Sequence, residues 1–403
     1  LIATKEALKI ILANVRALKA VRNPLDKVLG CCLAEDIWAD RDLPPTDRSA
    51  MDGYAVRAKD LAESPCELRL VGEVAAGSAK CPKVTAGTCV RILTGASVPG
   101  GANAVVKVEE TTERDDFVKF LSITKVGANI CIQGETVTKG RVVLCKGTVL
   151  NAAQIGLCAS VGKVAVKVYG RPGVTVLCTG RELREAGVKV EPHQLRNSNG
   201  PALRAALENA GISRIGHQIV PDDPRIIAEK MKAAAAKYNV IILTGGVSVG
   251  KYDFVPEAVR QIGATVRFHG VAMKPGKPQL YATLSGNRHI FGLPGNPLSV
   301  LTGFGELVLP AIRRLSGLDA KSCHVTLKLP LVRSVSSKAN RAAFVLGKLI
   351  GSGKGLRVRP VESCGSADLV AGAQADGVVL VPKNVRRIAA GELVEFTPWR
   401  SIP

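Results

Sequence analysis

Residues 239–254 read NVIILTGGVSVGKYDF. An apolar run, Val240 to Leu243, passes straight into Thr244, Gly245, Gly246, Val247, Ser248, Val249 and Gly250. The pattern predicts a buried strand that empties into a glycine-rich turn. In open α/β sheets ligands bind at the carboxyl ends of strands, and a glycine turn there lets backbone N–H groups approach an anion. The spacing is neither G-x-x-x-x-G-K-[ST] nor a convincing G-x-G-x-x-G, so the standard nucleotide motifs are excluded and another anion site is implied. Asp253 follows within reach of a metal or a ligand hydroxyl. Taken alone, the Gly-Gly pair is equally compatible with a plain turn.

On either side of this stretch, from Arg171 to Gly317, strand-like and helix-like segments alternate. They are GVTVLCTG, GPALRAALENAG, RIGHQIV, DPRIIAEKMKAAAAKY, NVIILTGG, FVPEAVRQIG, TVRFHGVAM, HIFGLPG and PLSVLTGFGELVLPAIRRLSG. Such alternation predicts a central three-layer α/β domain with a largely parallel sheet. Two more strand ends should share its ligand edge. MKPGKPQ holds Lys274 and Lys277 in a turn stiffened by Pro275 and Pro278, as point charges suited to phosphate or another oxyanion. FGLPGNPLS uses Pro294 and Pro297 to restrain a loop that leaves the amides of Gly295 and Asn296, and Ser299, accessible. Either loop alone could be a solvated turn.

Thr4 to Ala20 spaces Ala7, Leu8, Ile11, Leu12, Val15 and Leu18 as an amphipathic helix. Residues 43–140 break into short apolar runs between Gly, Pro and Asn, predicting a β-rich inserted domain. Within it PPTDRSAMDGYAV places Ser49, Asp52 and Tyr54 in a turn, and ILTGASVPG offers Thr94, Gly95 and Ala96 at a strand end. Asn151 to Gly162 reads as a short helix and KVAVKVYG as a strand; after Ser322 the β-type runs return, predicting a small C-terminal barrel or sandwich.

The 403 residues predict two or three domains on the usual ~150 residues each. With 55 Lys plus Arg against 34 Asp plus Glu, the net charge is +21, which calls for an anionic partner or is simply a solvated basic surface. Nucleic acid is disfavoured: the basic residues are dispersed, with only short groups such as Arg181 to Arg184, and the 15 aromatics form no stacking row. The longest charge-free run, His289 to Gly305, is broken by Pro294, Pro297 and four glycines, which argues against a membrane span. The N-terminal stretch lacks a secretion signal's apolar core, and the missing initiator Met suggests a trimmed chain. Eleven cysteines without a C-x-x-C pair, most among apolar neighbours as Cys158 and Cys178 are, read as buried thiols of a reducing cytoplasm.

Seven strings run in order from about residue 40 to 370: SAMDGYAV, RILTGASVP, GTVLNAAQIGLCASVG, TGGVSVGKYDF, MKPGKP, GLPGNPLSV and GSADL. Together they resemble the molybdopterin molybdenumtransferase family, to which the larger domain of gephyrin is related. The resemblance implies a discontinuous helical domain I (1–44 and 141–170), a β-rich domain II (45–140), an α/β molybdopterin-binding domain III (171–318) and a C-terminal β domain IV (319–403). It implies a homodimer that inserts molybdenum from molybdate into adenylylated molybdopterin, releasing AMP with Mg²⁺ or another divalent cation, and possible contact with the molybdopterin adenylyltransferase.

Carried onto this sequence, Lys274, Lys277, Ser299 and Ser366 resemble the family's oxyanion pocket. Thr244, Gly245, Gly246, Ser248 and Gly250, with Thr179, Gly180, Asn199, Thr94, Gly95, Pro294, Gly295, Asn296 and Pro297, would hold the pterin and nucleotide. Asp222, Asp223 and Asp253 would serve the cation. Asp52 would reach the site across the dimer, and the catalytic set would be Asp52, Asp253, Lys274 and Lys277. The chain departs from the family pattern at Thr136, Gln154, Arg181 and Asn197, where acids are common, and at Leu346, where an Arg is common and Arg341 lies nearby. An impaired molybdopterin-binding or scaffold homologue is the alternative reading.

Overall fold

The structure, a computed structural model, describes residues 1–248, 254–337 and 340–399; Gly250 and Asp253 lie outside the described residues. The chain forms two compact units, one of Leu1–Ala34, Gly147–Asn151 and Ala165–Pro403, the other of Glu35–Lys146 and Ala152–Val164. The finer division into four domains stays a proposal.

In the first unit, six strands form one sheet: β1 (Val174–Thr179), β2 (Ile215–Val220), β3 (Val240–Thr244), β4 (Thr265–His269), β5 (Leu280–Leu284) and β6 (Arg288–Leu293), in the order β2-β1-β3-β6-β5-β4. The strands β2, β1, β3 and β6 run parallel; β5 pairs antiparallel with β6, and β4 pairs antiparallel with β5 at the edge. Register aligns Thr179 with Val220, Cys178 with Thr244 and Thr244 with Leu293, so the four parallel strands finish nearly level.

Helices cover both faces: α1 (Asn199–Asn209), α2 (Pro224–Lys237), α3 (Val255–Gln261), α4 (Pro297–Gly303) and α5 (Leu309–Leu315). Val240 and Ile242 enter one core with Leu203, Leu298, Ile312 and, from the opening helix Thr4–Asn14, Ala7 and Ile11. Ile241 and Leu243 enter another with Ile227, Met231 and Ala258. Burial on both faces is why these strands read as unbroken apolar runs.

Three expectations are corrected. The opening helix stops at Asn14, because Val15 turns extended while its side chain stays buried. TVRFHGVAM is not one strand: the chain breaks at Gly270, and Met273–Lys274 pairs in a different sheet. The segment from Pro297 is not one continuous α-helix but α4, a π turn at Phe304–Val308, and α5. Pro310 lacks the N–H that would bond the carbonyl of Glu306, and a π turn accommodates that loss.

The C-terminal sheet contains β7 (Leu327–Pro330), β8 (Ala342–Ile350), β9 (Arg357–Pro360), β10 (Gly377–Val381) and β11 (Leu393–Pro398). Its order is Met273–Lys274, β8, β10, β11, β7, with β9 on β8. Val358, Val379 and Phe396 fill its own core, while Phe344, Leu346 and Val378 join the core of the α/β sheet. Leu346 is therefore a packing residue.

The second unit has a six-stranded sheet in the order Ala104–Lys107, Gly53–Val56, Thr88–Ile92, Cys66–Val74, Phe117–Phe120, Thr111–Arg114. Tyr54 packs with Leu68, Val118 and Phe120, and its neighbour Ala55 packs with Val90, Ile92 and Val105 on the other side. That is the period-2 alternation of a strand.

Candidate functional site

At the carboxyl edge of the parallel strands, the loops are tied to one another by hydrogen bonds. Thr179, 4% exposed, donates its hydroxyl to the carbonyl of Thr244 at 3.3 Å, and the Gly180 N–H reaches the carbonyl of Val220 at 3.4 Å. Gly245 sits at φ +89° and donates its N–H to the Leu293 carbonyl at 3.0 Å; a Cβ there would lie 2.5 Å from the Thr179 carbonyl oxygen. Only glycine fits that position. The Gly246 carbonyl accepts the Val255 N–H at 3.1 Å, starting α3, and Ser248 is exposed.

The next loop is joined from two sides. Asn199, at the start of α1, donates its amide to the Gly295 carbonyl at 2.7 Å. Asn296 donates its amide to the Ser366 hydroxyl at 2.8 Å, and the Leu298 N–H reaches the Ser366 carbonyl at 3.0 Å. Pro294 is buried, and Gly295 and Asn296 are exposed. Ser299, expected to be accessible, is instead buried at 3% exposure, because α4 begins at Pro297 and turns that side chain inward.

The lysine turn is fixed by both sheets. Met273 and Lys274 pair with Ala342 and Ala343 of β8, the Met273 carbonyl accepts Arg341 Nη1 at 3.3 Å, and the Lys277 carbonyl accepts the N–H groups of Val271 and Gln279, both at 2.9 Å. Gly276 backs against α4: a Cβ there would be 3.5 Å from the Ser299 carbonyl. Both Lys274 and Lys277 are exposed. The lysine turn, through Gly276, and Ser366 thus both meet α4, in which Ser299 is buried, and Arg341, which the sequence flagged only as a neighbour of Leu346, bonds the same turn.

The replaced acids have structural partners. Arg181 places its N–H 3.1 Å from Asp222 Oδ2 and its guanidinium 3.5 Å from the Asp222 carbonyl. Asp223 caps α2, accepting the N–H groups of Arg225 and Ile226 at 2.8 and 3.2 Å ahead of Pro224 at the first turn. No group of three His, Cys, Asp or Glu that could hold a metal occurs among the described residues. Asn197, 2% exposed, accepts the Gly200 N–H at 3.0 Å, which leaves its Nδ2 to donate to His217 Nε2, also at 3.0 Å. His217, on β2, carries no local sequence signal that marks it as a support for the turn before α1. Cys178 lies 3.8 Å from the same ring nitrogen, and burial pushes its thiol pKa up, which favours the neutral thiol.

In the second unit, Asp52 Oδ1 accepts both the hydroxyl and the N–H of Thr94, at 2.6 and 2.7 Å. These bonds, the hydroxyl's first, hold the Asp52 carboxyl below its ordinary pKa. The Gly95 N–H reaches the Ser49 carbonyl at 2.8 Å, and the Ser49 N–H reaches Ala96 at 2.9 Å. SAMDGYAV and ILTGASVP therefore form one bonded pair of loops.

Comparison with known proteins agrees with this arrangement. Family descriptions match in order: the MoeA N-terminal region (domain I and II) over residues 2–162, the probable molybdopterin binding domain over 175–314, and the MoeA C-terminal region (domain IV) over 328–399. A molybdopterin molybdenumtransferase of Staphylococcus epidermidis is 35% identical over 399 residues, 98% of this chain and 94% of that protein. The chain belongs to the molybdopterin molybdenumtransferase family. A Staphylococcus aureus member of this family is also 35% identical, over 98% of this chain and 95% of its own. The crystal structure of a molybdopterin biosynthesis moeA protein from Pyrococcus horikoshii superposes with TM-score 0.84 at 30% identity, covering 99% of this chain and 100% of that one. Within the molybdopterin molybdenumtransferase frame, Thr179, Asn199, the Gly245-Gly246 turn, the lysine turn and the Gly295 loop all fall in the binding-domain match, and Arg341 and Ser366 fall in the domain IV match.

Proposed function

We propose that this chain transfers molybdenum from molybdate to molybdopterin. The observation that carries this reading is the bonded edge itself, in which the Asn199–Gly295 and Asn296–Ser366 contacts tie three loops together beside a lysine turn fixed by two sheets. The names of the relatives and the match to a molybdopterin-binding domain support it.

The chemistry follows from the donors. Molybdate is a tetrahedral dianion, and Lys274 and Lys277 supply two point charges on a stiff turn, so little ordering cost remains when the anion replaces water with ammonium groups. Ser366 already accepts from Asn296, which leaves its own O–H to donate to an anion. Arg341 adds a third cation tied to the same turn. The glycine turn at 245–246 keeps side chains off the strand ends, so a planar pterin can approach the backbone.

We infer that the pterin substrate is adenylylated and that insertion releases AMP. The divalent cation implied by the family does not fit a preformed protein cage, since Asp223 is engaged as a helix cap and Arg181 stands on Asp222. Mg²⁺ commonly uses one or two carboxylates with substrate phosphates and water, so we infer that it arrives with the phosphates. A homodimer, a cytoplasmic location, contact with the adenylyltransferase and a role for Asp52 in the dimer's site belong to the same proposal.

The test is to supply purified protein with adenylylated molybdopterin, molybdate and Mg²⁺, and to measure AMP and active cofactor. Molybdate-dependent AMP release is expected. Tight pterin binding without AMP release would instead select the scaffold reading, which the replacement of acids by Arg181 and Asn197 specifically favours.

A further inference from the structure

The corner where β1 and β2 end is crowded with carboxylates. Asp222 Oδ2 accepts the Arg181 N–H at 3.1 Å, and Asp223 Oδ1 caps α2. Glu182 folds back on the strand end, where a Cβ at Gly180 would lie 2.7 Å from its Oε1. The corner adjoins the glycine turn, since Gly245 backs onto the carbonyl of Thr179, two residues before Arg181. A phosphate brought to that turn is therefore repelled by three side chains unless a cation stands between them. A divalent ion finds no cage there: both aspartates are committed to backbone N–H groups, and no cluster of three ligands occurs among the described residues. The corner does hold a cation of its own.

Arg181 is exposed, and its guanidinium makes one hydrogen bond, from Nη2 to the Asp222 carbonyl at 3.5 Å, the outer limit of such a bond. Among the described residues no carboxylate forms an ion pair with it. Its backbone is pinned on both sides, the N–H by Asp222 and the carbonyl by Arg184 Nη1 at 2.9 Å. We propose that Arg181 is the phosphate-binding cation of this corner, doing for the nucleotide end of the adenylylated substrate what a protein-held divalent ion would otherwise do. The assignment rests on the molybdenum-transfer reading above and names a specificity residue within it. A guanidinium offers five N–H donors in a fork that matches two phosphate oxygens, and nearly all of them are free here. Because the charge is covalently attached to a pinned backbone, no ion has to be recruited before the phosphate binds. Mg²⁺ arriving with the phosphates then adds to this charge and is not a condition for nucleotide binding.

Calorimetric titration of the full chain with AMP, once in EDTA and once in Mg²⁺, tests the assignment. The wild type is expected to bind AMP in both, with affinities within about threefold of each other. Arg181→Ala should weaken AMP about tenfold in EDTA, the worth of one charge-assisted contact. Arg181→Asp should lose AMP binding in EDTA and regain it in Mg²⁺, because the added carboxylate supplies the metal ligand that the wild type lacks. A merely structural role for Arg181 would create no such metal dependence. The side chain is exposed and the bond to Asp222 is made by the backbone, so both variants should keep the wild-type urea midpoint. If the wild type binds AMP only with Mg²⁺, or if Arg181→Ala binds it as tightly as the wild type in EDTA, the assignment is overturned while the transfer reading stands. If the wild type binds AMP under neither condition, the assignment and the adenylylated substrate fall together.

Discussion

In the proposed function the anion chemistry turns on Lys274 and Lys277, and each is exposed on a turn whose backbone is held by other bonds. Lys274→Ala and Lys277→Ala should therefore leave the fold unchanged and each weaken molybdate binding by about tenfold, the worth of one charge-assisted contact. Equilibrium binding of molybdate to the two variants checks this, and unchanged affinity in both would remove the pocket. Asn197 acts one step back, through Gly200 and His217. Asn197→Ala leaves a buried N–H and a ring nitrogen unpaired, which should cost about 1–3 kcal/mol of stability and loosen the start of α1. Because Asn199 bonds Gly295 from there, the pterin substrate's KM should rise more than kcat falls; steady-state kinetics separates this from plain destabilisation. Asp52 gives a third case. Its carboxyl is held down by Thr94, so it is ionised throughout neutral pH, and its bonds are present above the ordinary carboxylate range and lost as pH falls through the lowered value. Thr94→Val removes the larger of the two contributions and should raise the Asp52 pKa, measurable by carboxyl NMR titration.

Among the elements, β6 carries the clearest pH signature. His289 is 1% exposed, donates from Nε2 to Asn287 Oδ1 at 3.1 Å and accepts the Tyr281 hydroxyl on Nδ1 at 3.0 Å, and burial drives its pKa down to about 4. The unfolded chain protonates this imidazole near 6.5, so its contribution is full above that pH and is lost progressively as pH falls toward 4. The pKa difference corresponds to roughly 3 kcal/mol. Urea unfolding of the wild type between pH 7 and 4 should show that loss, and His289→Gln should flatten the slope. Elements also show what sequence reading could reach. β1, β3 and β6 were legible because burial on both faces writes a continuous apolar run that ends in Gly or Pro. The LYATL strand, β5, was not, since its run is short and interrupted by Thr283, while Tyr281 and Ala282 are wholly buried by tertiary packing. The π turn was illegible for the same kind of reason: Pro310 shows that a hydrogen bond is lost, but only the packed chain decides whether the helix ends or bulges. The candidate site divided likewise. Lysines and glycines announced themselves, whereas His217 and Arg341 act through contacts far away in sequence.

At the scale of the whole molecule, the proposed function asks for only a few of the cations behind the net charge of +21, not for a nucleic-acid stripe. Lys274 and Lys277 lie on one turn, Arg341 bonds the Met273 carbonyl at its start, and the remaining charge is dispersed. Among the described residues, the clusters around Val240 and Phe396 draw only on the first unit, and those around Phe120 and Ile92 only on the second. Each unit thus has the buried apolar area to unfold as its own cooperative block. The two tryptophans report on them individually: Trp38 lies in the second unit on the Ile37–Trp38 strand, and Trp399 lies in the first, its backbone N–H bonded to the Asp376 carbonyl at 2.9 Å. Phe120 is fully buried, and Phe120→Ala should cost about 3–5 kcal/mol in the second unit alone. Urea unfolding followed by fluorescence in Trp399→Phe, where Trp38 remains, should then show a lowered midpoint on adding Phe120→Ala. The same substitution in Trp38→Phe, where Trp399 remains, should leave the midpoint in place. Saturating molybdate should do the converse and raise only the Trp399 midpoint, because a ligand stabilises the unit that binds it by RT ln(1 + [L]/Kd). Equal shifts of both probes in either experiment would mean that the chain unfolds as a single block and that the two cores are not energetically separate.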